Sequence, residues 1–183
     1  MAEWPEYYMP PPPILTTLCM DSMGGALVSA SASSASAAWS VANAGYFYPF
    51  RLTARATVYQ LLFFVGDTSS GNIDMAIYDS QKNRIVSAGS TAMSATVNTI
   101  QELNITDTVL AAGDYWLAVA VDNTTGTCFQ SAIQTDEISF SRFTVYTQTG
   151  LTAAALPDPM VPVLSTETSP PVWYVGLQLV PTF

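Results

Sequence analysis

The chain has 183 residues, enough for one domain with a full core and short for two. Charged residues make up only 10% of it against 49% hydrophobic, and five basic residues face fourteen acidic ones, giving a net charge of −9. That balance argues against nucleic acid, because phosphate binding needs clustered Lys and Arg, and disfavours an anionic membrane surface for the same reason.

Residues 1–23 read as an extended arm. It opens on Glu3, Trp4, Glu6, Tyr7 and Tyr8 and continues into Pro10-Pro11-Pro12-Pro13. Consecutive prolines hold a polyproline II conformation and offer no backbone donors to a sheet. The start of the chain has no basic stretch followed by an apolar run, so no secretory signal is read there, and synthesis in a cytoplasm is expected. An arm loses conformational entropy on docking and needs apolar contact in return. Trp4, Tyr7, Tyr8, Ile14, Leu15 and Leu18 are the residues that can supply it.

Residues 24–183 are expected to form a single β-sandwich. Gly24-Gly25 and the Ala/Ser tract from Ala30 to Ala38 lack an apolar 3.6-residue period, which argues against helix and for irregular or edge-strand structure. From Tyr46 the pattern is β. Tyr46–Thr53 and Ala56–Val65 are aromatic and branched, and Gly66–Gly71 is a turn by composition. In Asn72–Tyr78 the period of two places Ile73, Met75 and Ile77 on one face. Asp79–Asn83 turns, and Arg84–Ser87 returns. Val97, Ile100, Leu103 and Ile105 alternate imperfectly across Thr96–Thr106, as around a bulge. Leu110–Asp114 reads as a turn into Tyr115–Val121, where Tyr115, Leu117, Val119 and Val121 oppose Trp116, Ala118 and Ala120. A turn at Asp122–Gly126 leads to Cys128–Ile133. Pro157, Pro159, Pro162, Pro170 and Pro171 then predict a long loop before a last strand over Val172–Leu179.

Mean hydropathy of +0.27 would suit a membrane protein, yet the most apolar runs, Val58–Val65 and Tyr115–Val121, are too short for a spanning helix, which needs about 20 residues. Short strands with turns every eight to fifteen residues or so indicate a sandwich or barrel.

The chain has no histidine, which removes the commonest general base and metal ligand. No Gly-x-Ser-x-Gly elbow, phosphate loop or dinucleotide fingerprint is present. A pair of carboxylates is the remaining enzymatic option. Asp74, Asp79, Glu102, Asp114, Asp122, Asp136 and Glu137 are the candidates, but most fall in turns, where Asp bonds its own backbone. Asp136-Glu137 could contribute to a calcium site, without EF-hand spacing to support it. The expectation is therefore a protein that is not an enzyme, with no catalytic residues, metal or cofactor. Tyr46, Tyr48, Trp116, Trp173 and Tyr174 could form a flat platform for a glycan, or serve as core. Asn104-Ile105-Thr106 and Asn123-Thr124-Thr125 match glycosylation sequons, which without a secretory signal are read as chance. Cys19 and Cys128 are the only cysteines, and whether they pair stays open from sequence.

A charge-poor, apolar chain must hide surface, and burial against other copies or a scaffold is the simplest account. A resemblance points the same way. It lies in Tyr46-Phe47-Tyr48-Pro49-Phe50, in Ile73-Asp74-Met75-Ala76-Ile77-Tyr78-Asp79 and in Arg84-Ile85-Val86-Ser87-Ala88-Gly89-Ser90. Its most specific part is Leu110-Ala111-Ala112-Gly113-Asp114-Tyr115-Trp116-Leu117-Ala118, with Ala155-Leu156-Pro157 as a further echo. This stretch resembles β-sandwich modules of tailed-bacteriophage virions, found in capsid decoration, tail-fibre and minor tail proteins. The resemblance implies a jelly-roll-like antiparallel sandwich, often trimeric, partnered by coat or tail proteins, made in the host cytoplasm and carried in the virion. It transfers no catalytic residue. A decoration or cement protein stapled to the coat through its arm is the leading expectation. A tail-fibre, baseplate or receptor-binding module recognising a host glycan is the alternative.

Overall fold

The computed structural model describes residues 17–20, 34–131, 146–164, 172–173 and 175–181. Among these residues the structure is all β. The strands are β1 (Thr17–Met20), β2 (Ser34–Ala38), β3 (Ala44–Leu52), β4 (Ala56–Val65), β5 (Asn72–Tyr78), β6 (Arg84–Ser87) and β7 (Thr91–Ala92). They continue as β8 (Thr99–Leu110), β9 (Gly113–Val121), β10 (Thr127–Ser131), β11 (Tyr146–Gln148), β12 (Val163–Leu164), β13 (Val172–Trp173) and β14 (Val175–Pro181).

They form two antiparallel sheets of seven strands each. In the first, β14 lies between β1 and β4, β8 flanks β4, and β10 joins β2, β4 and β13. In the second the order is β12-β11-β3-β9-β5-β6, with β7 also on β5. The long central pair β3–β9 runs in unbroken register from Ala44↔Val121 to Leu52↔Gly113. Pro49 sits within β3 beyond Gly45–Phe47, the stretch that β11 pairs, so its missing N–H can face an open side of the strand.

The core between the sheets follows the period of two. Ile73, Met75 and Ile77 of β5 meet Leu117, Val119 and Val121 of β9 and Tyr46 and Tyr48 of β3. The first sheet answers with Val58, Leu61, Phe63 and Val65, and with Trp173, Val175 and Leu177. Trp39, just after β2, is 1% exposed; it stacks on Trp173 at 4.5 Å and meets Tyr46 edge-on at 5.0 Å.

A second apolar cluster lies on the outer face of the second sheet. Phe47, Ala76, Tyr78, Ala118 and Ala120 point away from the core, yet each is buried, because Ala154, Leu156 and Met160 lie over them. Residues 151–161 form this strap. Small side chains at 76, 118 and 120 let a loop lie close to the sheet. At the strap's turn Thr152 bridges Ala155, and the two central residues, Ala153 and Ala154, have φ of 49° and 61°. Positive φ at both positions is the pattern of a type I′ turn, which Asn-Gly usually fills. Ala153 is exposed. Ala153→Asn is expected to raise stability by about 0.5 kcal/mol by relieving that backbone cost, read as a higher thermal midpoint.

Several boundaries differ from the sequence reading. β8 runs on through residues 107–110 and β9 starts at Gly113, so the turn expected over Leu110–Asp114 shrinks to Ala111-Ala112. The expected bulge is present: Val58↔Thr108 is followed by Gln60↔Asn104, and β14 slips at the same point, from Gln178↔Gln60 to Leu179↔Val58. The last strand is two pieces, because β13 pairs with β10 whereas β14 pairs with β4 and β1. Residues 17–20, within the expected arm, are the edge strand β1, in register with β14 from Thr17↔Gln178 to Met20↔Val175.

The sheet order also answers the cysteine question. Cys19 of β1 aligns through Gly176 with Leu62 of β4, whereas Cys128 of β10 pairs with Val65, three residues further along β4, which puts their backbones about 10 Å or more apart. A disulfide requires Cα atoms within about 7 Å, so the two cannot pair within one chain. Cys128 is a buried free thiol whose pKa burial pushes up. Thiol titration is expected to return two thiols per chain in denaturant, with Cys128 unreactive in the native protein. A single disulfide-linked peptide spanning both cysteines would refute the strand order.

Candidate functional site

The carboxylates are dispersed, each held by its own local partners. Asp79 accepts from the backbone N–H and the side chain of Asn83, at 2.9 and 3.0 Å, closing the turn in which Lys82 takes φ 76°. Partial burial pushes its pKa up, but the bonds from Asn83, Gln81 and Lys82 outweigh this and hold it below the usual range. Asp122 accepts from the backbone and side chain of Asn72 (2.9 and 2.7 Å) and from Asn123 (2.7 Å), tying the β9–β10 turn to β5. Its pKa too ends low, these bonds outweighing desolvation. Asp114 faces Arg51 across β3–β9 in a two-point, fully exposed ion pair at 2.6 and 2.8 Å, which lowers the carboxyl pKa. Glu102 is exposed on β8, and Asp136 and Glu137 lie outside the described residues. Among the described residues no group of three or more His, Cys, Asp or Glu could hold a metal ion.

Asp74 stands apart. It is 1% exposed, the buried charged residue of the second sheet's outer face. One carboxylate oxygen accepts from the Ser87 hydroxyl and the other from the backbone N–H of Leu156 in the strap, both at 2.9 Å. Arg84 grips the same strap residue from the other side, donating to the Leu156 carbonyl at 2.6 Å, while its own backbone N–H donates to Asp158. The Tyr78 hydroxyl donates to the Pro157 carbonyl at 2.6 Å, and Met160 N–H to the Lys82 carbonyl at 3.0 Å. At the far end Asn43 receives Leu151 and Ala154. The polar groups around Asp74 thus fasten a strap.

The aromatic candidates separate cleanly. Tyr46, Tyr48 and Trp173 are at most 2% exposed and lie in the core, so they offer no ring face to a sugar; that part of the glycan platform is corrected. The pleat explains it: Tyr46 and Tyr48 share parity with the other inward residues of β3. Trp116 lies on the opposite face, half-buried, edge-on to Tyr146 at 5.3 Å. Trp116→Ala is expected to cost about 1 kcal/mol, well short of a core tryptophan, in denaturant unfolding. Tyr174 lies outside the described residues, as do Trp4, Tyr7, Tyr8, Ile14 and Leu15 of the arm set; Leu18 belongs to β1.

What the sequence reading missed is the outer face of the first sheet. The seven strands of this sheet contain only two charged residues, Glu102 and Asp107, both on β8. On the outward parity of β4, Phe64 stands opposite Ile100 of β8. Phe64 also stacks on Phe129 of β10, with centroids 4.3 Å apart and planes 21° from parallel. Leu62, two residues before Phe64, shares its parity and is 7% exposed, whereas Ile100 is 51% exposed. The absence of charge along β4, β10 and β14 was the available signal, but period alone cannot say which face turns outward.

Among the described residues there is no helix, and hence none long and apolar enough to cross a membrane. Compared with known protein families, curated proteins and solved structures, the chain matches none.

Proposed function

We propose that this protein is a structural component of a virus particle, a decoration or cement protein that stands on a coat lattice and is anchored through its N-terminal arm. The observation that carries the reading is the first sheet: its seven strands contain only two charged residues, Glu102 and Asp107, and Phe64, Phe129 and Ile100 stand on its outer face, while the other sheet's outer face is closed by the chain's own strap. Interface centres are depleted in charge and enriched in aromatic residues, as here at Phe64 and Phe129. The resemblance to tailed-phage virion modules supports the same assignment. Strands that alternate between sheets, β3 in the second, β4 in the first, β5 in the second, then β8, β9 and β10 in turn, support a jelly-roll-like topology. In this reading the partners are coat subunits and further copies of the chain, with a trimer favoured, and no cofactor is needed.

The receptor-binding alternative draws less support, since three of the five candidate platform rings are core. Imaging intact particles with a label on the C-terminus tests the choice. Signal spread over the head lattice is the expected result; signal confined to the tail would overturn it. The arm is tested by deleting residues 2–16, which spares β1. The truncated protein is expected to keep its unfolding midpoint and lose binding to particles.

A further inference from the structure

We propose that β8 is a latent self-docking edge: its open side pairs antiparallel with β8 of a second copy of this chain, and Glu102 and Asp107 hold the two copies apart. The inference concerns copies of the chain in solution and does not rest on the assignment to a particle.

β8 has 12 residues, roughly twice the usual strand length, and among the described residues β4 is the only strand that pairs with it. The other side of its backbone is an edge, where N–H and C=O groups offer a ladder to a further strand. Ile100, Glu102, Asn104, Thr106, Asp107 and Val109 are all exposed, so the strand is open to a partner along its length. Gln101 turns the other way, and its side chain bonds the backbone of Ala92 and Ser94 inside that edge.

The register says why the partner is a second copy. Leu103 and Leu110 both lie in the core, although an odd number of residues separates them. β8 therefore changes face once between them, at the bulge. Ile100 and Glu102 point outward, opposite Phe64 and Leu62 of β4. Beyond the bulge Asp107 and Val109 point outward, flanking Thr108, which opposes the core residue Val58. Two copies of β8 laid antiparallel at full overlap set residues 99–102 of one against 110–107 of the other. Because of the bulge, every opposed pair in these flanks shares a face; in a strand without it, Ile100 and Val109 would point to opposite faces. Ile100, 51% exposed, then meets Val109, 49% exposed, once on each side of a two-fold axis. Glu102 meets Asp107, also twice, and like charges directly opposite are destabilising. The only two charged residues in the seven strands thus stand where they penalise the register that joins the apolar pairs.

The test uses the full-length protein in solution, without particles. Glu102→Gln combined with Asp107→Asn keeps both side-chain shapes at exposed positions and removes the charge. This variant is expected to self-associate at least about tenfold more tightly than the native protein in sedimentation. Hydrogen exchange on the associated sample should show new protection within residues 99–110. Unchanged self-association, or tighter association without protection in β8, would overturn the proposal. A second experiment mixes the native protein with a Glu102→Lys, Asp107→Lys variant. The full-overlap register then sets each carboxylate against an ammonium, so the mixture should form a complex of one copy of each that neither protein forms alone. If the neutral variant fails to unfold cooperatively, the mixture decides, and the absence of the mixed complex there overturns the proposal.

Discussion

Trp173→Ala is expected to lower the thermal unfolding midpoint by roughly 10 °C. Trp173 is 1% exposed and joins the two sheets through one aromatic group, stacked on Trp39 at 4.5 Å and meeting Tyr46 at 6.1 Å. Replacing a buried Trp by Ala typically costs about 3–5 kcal/mol, and in a domain of this size each kcal/mol moves the midpoint by about 2–4 °C. Trp39→Ala should cost a similar amount. The double variant should cost less than the sum, by about 1 kcal/mol, because the first substitution has already removed the stacking partner. Phenylalanine separates packing from hydrogen bonding. Trp39 donates its indole N–H to the Ala44 carbonyl at 3.0 Å, whereas the Trp173 indole N–H is buried without an acceptor among the described residues. Trp39→Phe should therefore lose about 1 kcal/mol more than Trp173→Phe, which sheds an unpaired donor. A loss below about 1 kcal/mol for Trp173→Ala would show that these rings are peripheral to the core.

The parts of the fold that follow from periodicity were legible. Ile73, Met75 and Ile77 share a face, as do Leu117, Val119 and Val121, because a strand buried on one side must alternate. The turns at Asp79–Asn83 and Asp122–Gly126 were legible because Asp and Asn carry turn chemistry in their side chains. The strap was not. Its tight turn is built on Ala153 and Ala154, residues that signal helix rather than positive φ, and its prolines read as loop without saying what the loop covers. Once the strap is in place, Ala76, Tyr78, Ala118 and Ala120 are buried on the face that periodicity marks as outward. The sorting of aromatics into core and surface was equally hidden. Tyr46 and Trp116 look alike in sequence, and only strand parity and the partner sheet separate them. Of the candidate interface, the charge-free strands were visible, but the stacking of Phe64 on Phe129 joins residues 65 positions apart and belongs to the topology.

Asp74→Asn is expected to remove a pH dependence that the native protein carries, and Asp74→Ala to loosen the strap. Burial pushes the Asp74 carboxyl pKa up; bonds from Leu156 N–H and the Ser87 hydroxyl, the charge of Arg84 and the backbone of Met75 pull it back only in part. A carboxyl with a raised pKa holds its proton more tightly folded than unfolded. Stability is then greatest below the ordinary carboxylate pKa of about 4, falls as pH rises toward the folded-state value, and levels off above it. The charged group that faces Asp74 from a neighbouring strand is Arg84 of β6. Asn keeps the shape and an acceptor for Leu156 but has nothing to titrate. The difference in unfolding midpoint between Asp74→Asn and the native protein should therefore grow in favour of the variant as pH rises from about 4, and close in acid. A difference of opposite slope would mean that Arg84 and the strap amide favour the charged carboxylate more than burial opposes it. Asp74→Ala leaves the Leu156 N–H buried without an acceptor and should cost about 2–3 kcal/mol. Hydrogen exchange reads this directly, because Leu156 N–H, protected in the native protein, should exchange faster while the amides of β9 beneath it keep their protection. If β9 loses protection equally, the strap and the sheet open as one unit, and Asp74 belongs to the stability of the whole sandwich.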